Sequence, residues 1–391
     1  MLQRIKKDLV NLPGWRTKKK IVVIESDDWG TVALRSKEAL EDLLEAGLPI
    51  PGHAFARYDC LESNTDLEEL FGVLSKYKDK NGAPPCITSC SLVANPDFEK
   101  VKASGFTEYH YEPFTETYKR YPDHDRAYEL VKKGIAEGYF YPQLHGREHL
   151  NPAEWLRVLQ RGDEQELLLF EKQTLVGLPA KGGSKRFNGY FGAFDYEAEQ
   201  EIQELAAVIQ EGQQLFEQLF GFKSKTFVAP TGIRSDKIDP YLMEQGVLYH
   251  QLGQQFLPYK EARYAIRQRF LGSKNGLGQI YWRRNGFFEP ARDRQRNWVG
   301  QALNDLQSAF RMSKPFILST HRVNYVGGID PTNREYCLKQ LDELLRRMLQ
   351  AHPDIVFMNS EQLGTEIQNN PSYFLGLSLK DFYYDQKFVP N

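Results

Sequence analysis

Two adjacent aspartates end an apolar run near the start of the chain. The segment IVVIESDDWG, residues 21–30, begins with four β-branched residues, which are typical of a buried strand, and reaches Asp27 and Asp28. Two neighbouring carboxylates repel each other, so a cation, a shared proton or plain solvent must compensate them. This segment is therefore a candidate site whose other members lie elsewhere in the chain.

A pair of histidines offers partners for these carboxylates. His145 and His149 lie four residues apart in QLHGREHLNP, residues 143–152, a spacing that brings two imidazoles to one point on a helical turn or a tight loop. Asn151 is a good N-cap, and proline is favoured at the first helical position that follows it. The histidines should therefore lie on a strand-to-helix connection. One aspartate with both histidines forms three ligands with an open fourth position, as in catalytic zinc sites, and the second aspartate is then a candidate base.

The elements that must position these residues alternate between short β-like runs and longer helical patterns. Helices are predicted in SKEALEDLLEAG, NTDLEELFGVLSKYKDK, YEAEQEIQELAAVIQEGQQLFEQLFG and REYCLKQLDELLRRMLQAH. This alternation predicts a parallel sheet with right-handed crossovers, in which ligands gather at the carboxyl ends of strands. The predicted strands are 21–26, 86–92, 139–144, 187–194, 225–229, 247–252, 279–284, 315–320 and 354–358.

The polar residues that follow these runs form one set at one predicted end of the sheet. They are Asp27, Asp28, His145, Thr231 and His321. Acids and histidines dominate the set, and both are ligands that a divalent metal ion such as Zn²⁺ takes in proteins.

Composition narrows the class of protein. The chain has 391 residues, a net charge of −2 and 26% charged residues, which gives no electrostatic case for binding nucleic acid or an anionic membrane surface. No stretch approaches the roughly 20 apolar residues of a membrane span, and no secretory signal is recognised, so we expect a cytoplasmic protein. Four cysteines do not form a disulfide framework. Aromatic residues make up 13%, which favours, weakly, a carbohydrate or nucleobase ligand.

We expect one domain over residues 1–391. Its motif core spans about 20–360, between an N-terminal amphipathic extension over 1–19 and a C-terminal tail over 361–391. No repeat, low-complexity tract or long linker divides the chain.

Four short motifs together resemble those of the polysaccharide deacetylase superfamily, also called the chitooligosaccharide deacetylase homology domain. ESDDWG, HGREH, FVAPTG and ILSTHR occur in the order and rough spacing of that family's motifs, over about residues 21–321. The resemblance implies a distorted (β/α) barrel of about seven parallel strands with extra loops and helices. It also implies a metal-dependent hydrolase that removes N- or O-acetyl groups from sugars or polysaccharide intermediates.

The resemblance also implies a role for each matching residue. Asp27 resembles the catalytic base, and His321 resembles the catalytic acid. Asp28, His145 and His149 resemble the metal ligands, and Zn²⁺ is the first expectation for the ion. The expected partner is an acetylated sugar or glycan.

Two of the family's motifs depart from the pattern. The third motif usually has an arginine before its proline and an aromatic after it, whereas FVAPTG has neither. The fourth, an aspartate–tryptophan pair expected near VLYHQLGQQF, is absent. Arg147, Arg234, Arg283 and Arg284 are candidates to replace the missing arginine.

Three other readings remain open. A glycoside hydrolase would use strand-end carboxylates about 5–9.5 Å apart, with Asp195 or Glu289 as the second acid, but this leaves the histidines unexplained. A non-catalytic glycan-binding relative would keep the pocket and lose Asp27 or His321, and this chain has both. A nucleotide-binding loop could be argued from GSKNGLG, residues 272–278, but that cluster precedes a predicted strand and favours a turn.

Overall fold

Strands and helices alternate along the chain in the computed structural model, which describes residues 7–9, 11–178, 186, 188–251, 254–259, 263–371 and 383–384. The strands are β1 (Ile21–Trp29), β2 (Ile87–Leu92), β3 (Ala94–Pro96), β4 (Tyr111–Pro113), β5 (Phe140–Gly146), β6 (Thr226–Phe227), β7 (Tyr249–His250), β8 (Gln254–Tyr259), β9 (Arg263–Gln268), β10 (Ser273–Lys274), β11 (Ile280–Tyr281), β12 (Gly286–Phe287), β13 (Phe316–His321), β14 (Val356–Phe357) and β15 (Tyr383–Tyr384). The α-helices are α1 (Lys37–Glu45), α2 (Ala54–Arg57), α3 (Asn64–Leu74), α4 (Phe98–Ala103), α5 (Phe114–Tyr118), α6 (Ala127–Glu137), α7 (Pro152–Gln160), α8 (Glu164–Glu171), α9 (Glu201–Phe220), α10 (Asp239–Glu244), α11 (Trp298–Arg311), α12 (Pro331–Ala351) and α13 (Ser360–Asn369).

One curled, mostly parallel sheet forms the centre of the fold. Its strand order is β10-β11-β7-β6-β5-β2-β1-β13-β12, with β14 also paired to β1. Neighbours from β11 through β12 are parallel, and β10 joins β11 in antiparallel fashion across the turn within residues 272–278. The prediction of a distorted (β/α) barrel is confirmed, and the turn that the sequence favoured within GSKNGLG directly follows β10.

The connection from β11 to β12 explains why the sheet curls. These two strands lie towards opposite ends of the strand order, yet only residues 282–285 separate them in the chain. Five extended steps from Tyr281 to Gly286 span at most about 18 Å. The two ends of the parallel sheet must therefore approach each other, and an incomplete barrel results.

The two faces of β1 pack against different layers. Val22 and Ile24 belong to a buried cluster shared with helices α3 and α12, which cover the outside of the sheet. Ile21 and Val23 belong to a second cluster with residues of β13, β7 and β11, on the inside. Because side chains alternate along a strand, Asp27 continues the inner face.

One predicted strand is wrong. Residues 187–194 were expected to form a strand, but the structure has a 3₁₀ turn at Gly189–Phe191, and residue 187 lies outside the described residues. Tyr190 is buried in an apolar cluster with residues of α4, α7 and α8, so its hydrophobic character serves packing between helices. The β8–β9 hairpin lies beyond the predicted strand 247–252.

The termini are described only in part. Of the predicted N-terminal extension, residues 7–9 are helical, while 1–6 and 10 lie outside the described residues. Over the described part of the chain, no helix combines the length and the apolar composition that a membrane span needs.

Candidate metal centre and its neighbours

Asp28, His145 and His149 converge on one point at the carboxyl end of the sheet. Oδ1 of Asp28 lies 3.5 Å from Nε2 of His145 and 3.3 Å from Nε2 of His149. One donor atom from each of the three residues lies within 4.8 Å of the others. Two donors about 2.0–2.1 Å from a tetrahedral ion are roughly 3.3 Å apart, so this set fits a divalent cation such as Zn²⁺.

A backbone irregularity brings Asp28 to that point. In a regular strand Asp27 and Asp28 would face opposite sides of the sheet. Here the β1–β2 register shifts between Ser26 and Trp29, and Asp28 has a left-handed φ of 75°. A bulge of this kind re-aims a side chain, at a cost in backbone strain for a residue other than glycine. Both adjacent carboxylates therefore reach the same end of the barrel.

The third motif orients one of the histidines. Nδ1 of His145 lies 2.8 Å from the carbonyl oxygen of Val228. With Nδ1–H donating to that carbonyl, the lone pair of Nε2 faces Asp28, which is the arrangement that metal-ligating histidines usually have. FVAPTG therefore supports the centre through a backbone carbonyl.

The charges within the set stabilise one another. Burial opposes ionisation of Asp28, but the neighbouring imidazoles of His145 and His149 hold its pKa well below the ordinary value. Burial likewise opposes a charged His149, but Asp28 raises the pKa of this imidazole overall. The carboxylate is therefore an anion ready to ligate a cation.

Arg284 clamps Asp27 from inside the barrel. Its Nη1 and Nη2 donate to the two oxygens of Asp27 at 2.5 and 2.6 Å, and its Nε donates to Glu25 at 2.6 Å. Burial would raise the pKa of Asp27, but the guanidinium holds it well below the ordinary value. Of the four arginines considered from the sequence, Arg284 is the one that contacts Asp27.

His321 lies opposite Asp27 and is held by a carboxylate. β1 and β13 pair with Asp27 level with His321, and Nε2 of His321 lies 3.7 Å from Oδ2 of Asp27. Its Nδ1 lies 2.6 Å from Glu289, whose other oxygen accepts from Asn324 at 2.8 Å. Burial opposes the charged ring, but Glu289 raises the pKa of His321 to about 10. The imidazole is therefore a proton donor with Nε2 facing the centre.

The turn after Asp28 is fixed by a buried ion-pair network. Glu62 accepts from the Gly30 backbone N–H at 3.1 Å, from the Tyr118 hydroxyl at 2.5 Å and from Arg322 at 3.0 Å. Arg322 also donates to the carbonyl of Thr31 at 2.6 Å. Gly30 has a φ of 81°, and a Cβ there would clash with the β2 backbone. The turn that follows Asp28 thus has little freedom.

Beside the residues that the structure brings together, which are Asp27, Asp28, His145, His149 and His321, it places others. The sequence suggests Glu289 only as the second acid of a glycoside hydrolase, whereas in the structure this residue hydrogen-bonds to His321. Glu289 directly follows the short run NGFF, which contains β12. Accepting so short a run as a strand would have placed Glu289 among the polar residues that follow strands. Asp195, the other candidate acid, accepts from the hydroxyl of Tyr264. Glu62 and Arg322, the last residue of ILSTHR, cannot be assigned this role from the sequence, because nothing local marks a buried ion pair.

Comparisons by sequence find no relatives. No family model matches the chain, and no curated protein matches it.

Comparisons of structure find distant matches over most of the chain. The Puue allantoinase has 11% identity and a TM-score of 0.45, with 92% of this chain and 94% of that chain covered. A protein described as a polysaccharide deacetylase from Mycobacterium smegmatis has 13% identity and a TM-score of 0.40, covering 91% and 93%. Another so described, from Pseudomonas aeruginosa PAO1, has 10% identity and a TM-score of 0.44, covering 90% and 92%. At these values the chemistry must be argued from the site itself.

Proposed function

We propose that this protein is a metal-dependent hydrolase that removes an N- or O-linked acetyl group from a sugar or polysaccharide intermediate. The observation that carries the proposal is the convergence of Asp28, His145 and His149, with Asp27 and His321 beside them. Three ligands for a metal ion, together with a neighbouring base and acid, suit the hydrolysis of an amide or ester.

The charge state of each residue determines its proposed role. A divalent ion held by Asp28, His145 and His149 would polarise the acetyl carbonyl and lower the pKa of a water molecule. Asp27, kept ionised by Arg284, accepts the proton of the attacking water. His321, kept protonated by Glu289, donates a proton to the departing amine or alkoxide. Pairs of groups whose surroundings push their pKa values apart are typical of acid–base catalysis.

The third motif has a further group for the acetyl oxygen. Thr231 has a left-handed φ of 59° in the turn Pro230–Gly232, and its hydroxyl has no hydrogen-bond partner among the described residues. A free hydroxyl or a backbone N–H of this turn would stabilise the oxyanion that forms as the carbonyl is attacked.

Acetate release tests the proposal directly. The purified protein is incubated with N- and O-acetylated mono- and oligosaccharides, with and without a chelator, and then with Zn²⁺, Co²⁺ or Ni²⁺ restored. We expect release from at least one substrate, loss with chelator, and recovery with metal. His149→Ala should be inactive under all conditions, while His110→Ala, a change at a partly exposed histidine that faces Glu108, should behave like the wild type. Turnover that the chelator leaves intact would contradict a metal-dependent mechanism.

A further inference from the structure

A cleft of about 640 Å³ lies on the outer side of the barrel, beside the connection from β11 to β12. Its walls come from that connection, from the first turns of α11, and from Lys7 and Asn11 near the N-terminus. The volume is in the range of small-molecule sites, which is about 300–1,000 Å³. None of the residues that line the cleft is a candidate metal ligand. Arg284 lies between the two sites, because it lines the cleft and its guanidinium contacts Asp27.

The cleft has an excess of positive charge. Arg283, Arg296 and Lys7 line it, and Asp305, which pairs with Lys7, is the carboxylate among the lining residues. Arg296 is exposed and donates to Gln301. The cleft therefore has more guanidinium and ammonium groups than it has acids to balance them.

Arg283 is a partly buried cation of the cleft that has no counter-ion among the described residues. It is half-buried and, within the described residues, forms no hydrogen bond or ion pair. Burial lowers the pKa of its guanidinium, but arginine stays charged because its ordinary pKa exceeds 12. Its neighbour Arg284 differs, since two carboxylates inside the barrel neutralise it. A partly desolvated charge without a counter-ion is costly, and a bound oxyanion would relieve that cost.

The same cleft can also contact the body of a sugar. Phe287 is 51% exposed, although it lies in a strand with its ring at the cleft wall. The exposed side chain of Asn304 forms no hydrogen bond among the described residues. An aromatic ring beside amide groups suits a ligand with an apolar ring face and a hydroxylated rim. A bare inorganic ion would leave most of the cleft unfilled.

We propose that this cleft binds an anionic sugar, whose oxyanion pairs with Arg283 and whose ring packs on Phe287. The oxyanion is a phosphoryl or a carboxylate group, since a guanidinium recognises both. This site is separate from the metal centre and does not depend on the proposed hydrolysis.

Calorimetric titration of the purified full chain tests this proposal. The probes are glucose 6-phosphate, glucuronate, inorganic phosphate and glucose. We expect glucose 6-phosphate or glucuronate to bind at least about tenfold more tightly than glucose and than inorganic phosphate, and the tighter of the two identifies the oxyanion. A lost hydrogen bond to a charged group predicts that Arg283→Gln weakens this binding by about tenfold or more. Arg346→Gln, which removes an arginine of α12 that does not line the cleft, should leave it unchanged.

Two further variants separate the alternatives. Phe287→Ala should weaken binding of the sugar but not of inorganic phosphate, and because the ring is exposed this variant should fold. Asp28→Asn should bind the sugar as the wild type does, so a failure of the hydrolase proposal does not affect this one. Three results would overturn the proposal. They are equal affinity of Arg283→Gln and the wild type for the anionic sugar, equal affinity of the wild type for inorganic phosphate and the anionic sugar, and no binding of either glucose 6-phosphate or glucuronate.

Discussion

Asp27 and Asp28 are adjacent in sequence but have different partners. Asp27 contacts a guanidinium, and Asp28 contacts two imidazoles. We therefore expect Asp27→Asn to retain the metal and lose turnover, because the base is gone while the ligands remain. Asp28→Asn should weaken metal binding itself. Elemental analysis and acetate release, measured on the same preparations, check both expectations.

The control for this pair is Asp354→Asn, a change at an exposed aspartate that pairs with Lys20 far from the centre. It should match the wild type in metal content and turnover. If Asp28→Asn kept its metal while Asp27→Asn released it, the two roles would be exchanged.

His321 is placed to act on the leaving group. Its Nε2 faces Asp27, and its other nitrogen is engaged by Glu289. A general acid contributes typically 10²–10⁴-fold, so His321→Ala should lower the rate by about that factor and leave the metal content unchanged. The loss should be smaller for an aryl acetate, whose leaving group needs no proton. The rates of both variant and wild type on both substrates provide the measurement.

An equal loss on activated and unactivated substrates would assign His321 a positioning or structural role. Loss of metal in His321→Ala would also contradict the assignment, because the imidazole is not a ligand in the proposed centre. His110→Ala provides the matched control, since this histidine is partly exposed and faces Glu108.

At the scale of elements, the long strands were predictable and the short ones less so. β1, β5 and β13 are runs of apolar residues that end in the site, and the sequence located each of them. The N-cap at Asn151 also begins α7 as expected, because its side chain accepts from the Glu154 N–H. Residues 187–194 show where prediction from the sequence fails. Apolar residues that pack between helices produce the same short apolar run as a buried strand does.

The turn after β1 should control how well the centre holds its metal. Glu62 fixes the Gly30 N–H and pairs with Arg322, so it restrains the turn that carries Asp28. Changes to groups that orient metal ligands typically cost 10–100-fold in affinity. We expect Glu62→Gln to weaken metal binding by about that factor, as measured by competition with a chromogenic chelator.

A matched acid-to-amide change gives the comparison. Glu69→Gln removes a carboxylate that also pairs with an arginine, Arg334, but on α3 and away from the turn. It should leave the metal affinity unchanged. A fall in melting temperature of Glu62→Gln without a change in metal affinity would mean that the network stabilises the fold and does not position the ligand.

At the scale of the whole molecule, the barrel decides which distant residues meet. Arg284 is separated from Asp27 by 257 residues, and the sequence offered four arginines without a means to choose among them. The curling of the sheet selects Arg284 among them. The connection from β11 to β12, which includes Arg284, crosses the gap between the two ends of the parallel sheet. Local patterns cannot encode such a contact. The three residues that converge, Asp28, His145 and His149, could be selected from the sequence, whereas the residues that support them could not.

Arg284 should therefore matter for stability as well as for catalysis. Arg284→Met leaves Glu25 and Asp27 buried without their shared cation, and breaking a buried ion pair in this way costs about 3–5 kcal/mol. We expect a clear fall in the melting temperature at pH 7. Arg283→Met is the matched control one residue away, and it should cost little, because among the described residues Arg283 has no such partner.

The effect of pH on Arg284→Met should have the opposite sign to that in the wild type. In the wild type, Arg284 holds the pKa of Asp27 below its value in the unfolded chain, which is about 4. That stabilisation is complete above pH 4 and is lost only as the pH falls through the lower folded value. Without the guanidinium, burial opposes the ionised form of Asp27 and only the imidazoles of His145 and His321 favour it. We therefore expect its folded pKa to rise above the unfolded value, so that the variant loses stability as the pH rises from 4 to 7. The difference in melting temperature between wild type and variant should thus widen from pH 5 to pH 7, and a constant difference would mean that Arg284 contributes through packing rather than charge.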